Sequence, residues 1–105
     1  MAIRREVAVV IELNPKGKIV VHPRRFWVHK SAHEEVKWFC SRQHRHGDTC
    51  FIVDFLGKSP FHKPTFNGHH AHSGYADVKP NPRKLYKYSV TVGKQTIDPD
   101  GGVKP

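Results

Sequence analysis

The stretch LYKYSVTV, residues 85–92, carries the clearest structural signal in the chain. Aromatic and β-branched side chains alternate there with polar or cationic ones, so that one face would hold Tyr86, Tyr88, Val90 and Val92. A period of two residues is typical of a β-strand that buries one face and exposes the other. This segment therefore predicts a strand and a largely β fold.

The same alternation recurs on both sides of this segment. It predicts strands over residues 7–13, 18–22, 24–30, 35–40, 50–56 and 95–97, with a short strand resuming near Val103. Asn14-Pro15-Lys16-Gly17 reads as a turn, and Pro23 should break a ladder so that the chain bends or changes sheet. No segment has a helical period. About seven short strands separated by turns predict an all-β sandwich or small barrel.

Residues 57–84 interrupt this rhythm. The run GKSPFHKPTFNGHHAHSGYADVKPNPR contains four prolines, three glycines and four histidines, with little apolar alternation. Long loops inside compact domains are uncommon and are usually functional or mobile. We expect a His/Pro/Gly-rich loop insertion here.

Length and charge limit the remaining possibilities. A chain of 105 residues predicts a single domain spanning residues 1–105. The apolar run that begins at Val7 is too short for a signal peptide, and no segment reaches the length of a membrane-spanning helix, so we expect a cytoplasmic protein without a membrane partner. The net charge of +9 favours nucleic acid or an acidic protein as a partner.

Both cysteines lie in the segment CSRQHRHGDTC, residues 40–50, whose pattern is C-x3-H-x-H-x3-C. Two thiolates and two imidazoles form a tetrahedral ligand set suited to zinc or copper(I), which would be held by Cys40, His44, His46 and Cys50. A cross-strand disulfide is the second interpretation. Two unlinked thiols flanking a polar loop are the third, and the spacing alone does not choose among the three.

The insertion holds a second group of histidines: His62, His69, His70 and His72. Neutral imidazole is a common metal ligand, and residues two apart in an extended segment face the same side. We expect a second, weaker metal site here. The competing interpretation is a polar loop whose histidines bind metal only adventitiously.

Cations and aromatic residues also lie close together in the sequence. Single-stranded nucleic acid is bound by aromatic stacking together with phosphate contacts, and the candidate residues for this are Arg24, Arg25, Trp27, Lys37 and Phe39. An acidic protein partner is the related alternative. A third class is a structural subunit that associates with a partner, or with itself, through edge strands.

Enzymatic activity has little support in the sequence. It contains no P-loop, nucleophile elbow, zincin or dinucleotide-binding motif. Its nine acidic residues form no pair with an evident acid–base spacing. We therefore expect a binding protein rather than an enzyme.

Four segments together resemble the cupredoxins, the plastocyanin- and azurin-like proteins: VHPRRFWVHKSAHEEVKWF (21–39), FIVDF (51–55), LYKYSVTV (85–92) and IDPDGGVKP (97–105). The resemblance implies an antiparallel Greek-key β-sandwich. The positions that match the copper ligands of that family are occupied by Phe51, Val90 and Gly93, and the only methionine is Met1. The sequence thus predicts a degenerate cupredoxin-like binding protein that carries zinc or copper on its loops and is not a blue-copper electron carrier.

Overall fold

The computed structural model describes residues 5–40, 50–68 and 70–105 and confirms an all-β protein. Within those residues the only helical element is a single 3-10 turn, Lys30–Ala32, and no helix is long and apolar enough to cross a membrane. The strands are β1 (Arg5–Leu13), β2 (Ile19–His22), β3 (Arg25–His29), β4 (Glu34–Cys40), β5 (Phe51–Asp54), β6 (Thr65–Gly68), β7 (His70–His72), β8 (Tyr86–Lys87), β9 (Ser89–Val92), β10 (Gln95–Ile97) and β11 (Asp100–Lys104).

These strands form three sheets in a sandwich-like arrangement. The first sheet has the order β2-β1-β4-β7, the second β10-β9-β5-β6 and the third β3-β11-β8. The chain changes sheet at Pro23, as predicted, because β2 pairs in the first sheet and β3 in the third.

Two strand pairs are parallel, so the expectation of a purely antiparallel sandwich is wrong for them. β1 runs parallel to β4, with Val9 opposite Trp38, and β3 runs parallel to β11, with Phe26 opposite Gly101. Parallel neighbours need a long connection that returns the chain to the same end of the sheet. The excursion through β2 and β3 supplies that connection between β1 and β4.

The predicted loop over residues 57–84 contains two strands. β6 pairs with β5 in the second sheet, and β7 pairs with β4 in the first. Each strand buries one residue, Phe66 and Ala71 respectively. Segments of three or four residues bounded by Pro and Gly are too short to show an alternating pattern in sequence, so they are identified only by their pairing.

The core is a cluster of aromatic rings around Trp38, which is fully buried. Its ring centroid lies between 5.0 and 6.3 Å from those of Phe26, Phe55, Phe61, Phe66 and Tyr88. Aromatic pairs at such separations contribute beyond the area they bury. Because these rings come from all three sheets and their connections, Trp38 joins the layers of the sandwich.

The segment LYKYSVTV, residues 85–92, forms two short strands rather than the single strand predicted. β8 and β9 are separated by Tyr88, which leaves the ladder and donates its backbone N–H to the Pro99 carbonyl at 3.1 Å. The Tyr88 side chain is fully buried, and its hydroxyl oxygen accepts a hydrogen bond from Trp38 Nε1 at 3.4 Å. The predicted inward face is confirmed for Tyr86, Tyr88 and Val90.

Burial makes the stability of the protein depend on Tyr88 in alkaline solution. It raises the pKa of Tyr88 from 10.0 to about 12, although the Trp38 hydrogen bond acts in the opposite direction. Below the unfolded pKa both states keep the proton. Between the two pKa values only the unfolded chain releases it, so the free energy of unfolding should fall by about 1.4 kcal/mol per pH unit from this group. Urea unfolding across this interval measures the slope. Tyr88→Phe should make it shallower, and an unchanged slope would contradict the assignment.

The close approach of Phe26 to β11 provides a test of packing. A Cβ atom added at Gly101 would overlap the Phe26 ring, which is buried in the core, whereas one added at Gly57 meets nothing within 4 Å. Gly101→Ala should therefore lower the free energy of unfolding by about 1–3 kcal/mol through overpacking. Gly57→Ala is the matched control and should stay within about 0.5 kcal/mol. Equal effects of the two substitutions in urea unfolding would refute this account.

Candidate metal centre

The outer face of the first sheet brings together three potential ligands from three adjacent strands. Since Val9, Val36 and Ala71 point into the core, alternation directs Glu6, Glu35 and His72 outward. Glu6 and Glu35 are register partners across the parallel β1–β4 pair. His72 lies on β7, the next strand of the sheet.

The imidazole of His72 lies between the two carboxylates. Its Nδ1 atom is 3.1 Å from Glu6 Oε2 and 3.2 Å from Glu35 Oε1. The three possible ligand atoms all lie within 4.8 Å of one another. Glu35 has only 4% of its side chain exposed, against 36% for Glu6 and 45% for His72. The group thus has a buried inner ligand and a solvent-accessible outer side.

The electrostatics of this group favour a cation. Like charges directly opposite each other on neighbouring strands are destabilising, and burial of Glu35 strengthens the repulsion. A proton on His72 Nδ1 can bridge both carboxylates by hydrogen bonds. A divalent metal ion in the same place would accept lone pairs from Nδ1 and from both carboxylates.

A cleft of about 700 Å³ adjoins the group at the edge between β6 and β7. Its lining includes Glu35 and His72, and also His62, Phe66 and Tyr75. A small molecule or water could therefore reach the outer side of the group.

The described histidines that were predicted in the insertion do not form one ligand group. His62 lines the same cleft, but its Nδ1 faces Asp77 Oδ2 at 3.4 Å. His70 is exposed opposite Phe39, and His69 lies outside the described residues. Among the described histidines of the predicted second site, only His72 joins a group of three potential ligands.

Cys40 and Cys50 form a disulfide, with their Cα atoms 6.6 Å apart. This is the second of the three interpretations of the segment. In the oxidised protein their sulfur atoms are therefore not thiolate ligands. The four-ligand site of Cys40, His44, His46 and Cys50 stays a prediction for the reduced protein, and both of its histidines lie outside the described residues.

The candidate nucleic-acid residues lie on two different sheets. Arg25 and Trp27 lie on β3 of the third sheet, and Arg24 directly precedes this strand. Arg25 Nε lies 2.8 Å from Asp100 Oδ1. Lys104 Nζ lies 4.8 Å from the centre of the Trp27 ring. Lys37 and Phe39 lie on β4, on the opposite face from buried Trp38. Because the inner faces of the two sheets meet, these two sets point away from each other, and nucleic-acid binding stays a prediction.

Other histidine–carboxylate pairs occur in the described part of the chain. His22 Nε2 lies 3.1 Å from Glu12 Oε1, and His29 Nδ1 lies 3.0 Å from Glu34 Oε1. Within residues 5–40, 50–68 and 70–105, however, only Glu6, Glu35 and His72 bring three such ligands together. His22 thus provides a natural control for His72.

Sequence reasoning found His72 but missed Glu6 and Glu35. The two carboxylates are far apart in the chain and meet only because β1 and β4 are parallel. Glu35 begins the predicted strand 35–40 and Glu6 directly precedes the predicted strand 7–13, but the sequence does not give the register between these two strands.

Comparison with known proteins adds no family to this picture. No known family model matches the sequence, and no curated protein matches it.

The disulfide gives a direct prediction for stability. It closes a loop between residues ten positions apart, and a loop of this length should contribute about 2–3 kcal/mol by restricting the unfolded chain. Dithiothreitol should therefore shift urea unfolding of the wild type to lower concentration. The double variant Cys40→Ser/Cys50→Ser should already be destabilised and should not respond to the reductant. An unresponsive wild type would show that the bond does not stabilise the fold.

Proposed function

We propose that this protein is a small, non-enzymatic metal-binding β-sandwich of cupredoxin type that holds a divalent transition metal at Glu6, Glu35 and His72. The observation that carries the proposal is the position of His72 Nδ1, 3.1 and 3.2 Å from two carboxylate oxygens on neighbouring strands. Neighbouring ligands of a tetrahedral zinc lie about 3.4 Å apart, so little rearrangement is needed around the imidazole.

Zinc is the metal that this ligand set favours. Imidazole suits zinc, copper and nickel, whereas carboxylates suit harder ions, and zinc accepts both. Copper(I) is selected by soft thiolate ligands, and the sulfur atoms of Cys40 and Cys50 are bonded to each other in the disulfide. Three protein ligands would leave one tetrahedral position open, on the side of the adjoining cleft.

The cupredoxin type of the sandwich is supported by its strand connections. The chain leaves the first sheet after β2, forms β3 in the third sheet and returns to the first at β4, so the strands do not follow a simple meander. The proposed role excludes blue-copper electron transfer. Phe51 and Val90, at two of the matching ligand positions, are fully buried apolar side chains of the core.

Zinc binding should depend on pH because the metal and the proton compete for His72 Nδ1. Affinity should therefore fall as the solution is made more acidic. The same competition means that binding of zinc at neutral pH should release protons, which buffers of different ionisation enthalpy reveal in calorimetry.

Native mass spectrometry with elemental analysis, followed by zinc titration calorimetry on the chelator-treated protein, tests the proposal. The wild type should bind one zinc ion. His72→Ala and Glu35→Gln should each weaken binding at least about tenfold, since loss of even an outer partner of a zinc ligand costs roughly 10- to 100-fold. Glu6→Gln, at an exposed position, should do the same and avoids any effect of altering buried Glu35.

The matched control is His22→Ala, which removes an exposed histidine beside one carboxylate on the same sheet. Its affinity for zinc should equal that of the wild type. Cys40→Ser/Cys50→Ser should also keep the zinc ion. A protein that binds no zinc, or equal losses in His22→Ala and His72→Ala, would reject the centre. Loss only in the cysteine variant would assign the metal to the loop instead.

A further inference from the structure

We propose that a pair of lysine-lined clefts binds an acidic polypeptide segment that carries apolar side chains. The clefts share no lining residue with the metal centre. The first cleft, of about 380 Å³, is lined by Lys58, Val78, Lys79, Pro80, Asn81, Lys84 and Tyr86. The second, of about 240 Å³, is lined by Leu56, Gly57, Lys58, Lys84, Leu85, Tyr86 and Lys87. Since Lys58, Lys84 and Tyr86 line both, the clefts form one continuous surface, which we call the basic groove.

The charge of the basic groove is not compensated within the described part of the chain. Lys58, Lys79, Lys84 and Lys87 are exposed, and no carboxylate of the described residues lies within ion-pair distance of them. Asp77 pairs with His62 and Asp100 with Arg25, and none of these four residues lines either cleft. The groove therefore presents a concentrated positive potential, which attracts an anionic partner.

The basic groove also contains exposed apolar surface. Leu56 is 66% exposed and Leu85 is 36% exposed, and both line the second cleft. Large aliphatic side chains exposed beside a cationic rim are typical of a protein interaction site. Burial of these two leucines by apolar side chains of the partner would add affinity that charge alone does not provide.

The chemistry of the groove favours a peptide over single-stranded nucleic acid. Base stacking needs an exposed aromatic face. The single aromatic residue lining the groove, Tyr86, is buried, and Lys84 Nζ lies 5.1 Å from the centre of its ring. The accessible apolar groups are aliphatic, and they line a concave surface that a peptide side chain can enter and a flat bilayer cannot.

Fluorescence anisotropy with a short labelled peptide of alternating glutamate and leucine tests this inference. The wild type should bind the peptide, and added sodium chloride should weaken binding through screening. Lys58→Glu/Lys84→Glu should reduce affinity at least about tenfold, because it reverses two charges at the centre of the groove. Leu56→Ser should reduce affinity for this peptide but leave a glutamate–serine peptide unaffected.

The matched control is Lys16→Glu/Lys18→Glu, which makes the same change of net charge at the exposed turn between β1 and β2. It should alter affinity by less than about threefold, through the long-range field alone. Equal losses in both double variants would overturn the inference. Stronger binding of an oligothymidylate of equal charge, or of phosphatidylserine vesicles, would assign the groove to nucleic acid or to lipid and would also overturn it. The variants that lack a proposed zinc ligand, such as His72→Ala, should bind the peptide as the wild type does. This result would keep the test of the groove separate from that of the metal centre.

Discussion

The contact between Trp38 and the rings around it is the interaction on which the rest of the structure depends. Trp38 lies on an inner strand of the first sheet and Phe26 on a strand of the third. Tyr88 lies between β8 of the third sheet and β9 of the second. The Trp38 indole N–H also donates to the Tyr88 hydroxyl, so the one polar atom of this ring has a partner in the core. A single large side chain thus sets the distance between layers and satisfies its own hydrogen bond.

The metal centre is a consequence of this packing. Burial of Trp38 fixes which face of β4 points inward, and alternation then directs Glu35 outward. The parallel register places Glu6 beside it, and pairing of β4 with β7 brings His72 to the same face. Since a one-residue slip in register would move every side chain to the other face, the ligand group is as well determined as the core itself.

Local signals in the sequence predicted the inner faces of the strands well. Tyr86, Tyr88 and Val90 are buried as the period of two indicated. Pairing between distant strands could not be predicted in the same way, because nothing in the sequence near Glu6 specifies that Glu35 is its neighbour. For the same reason β6 and β7 were missed: strands of four and three residues, at Thr65–Gly68 and His70–His72, are stabilised by their neighbours rather than by their own composition.

The disulfide has a consequence for how the chain tolerates change. Cys40 ends a strand of the first sheet and Cys50 immediately precedes a strand of the second, so the bond links the two sheets covalently. The bond keeps the Cα atoms of Cys40 and Cys50 6.6 Å apart. Any sequence placed between the two cysteines, native or foreign, would have to span this same distance while the bond is intact. The bridged position is a natural place to display a peptide on this scaffold.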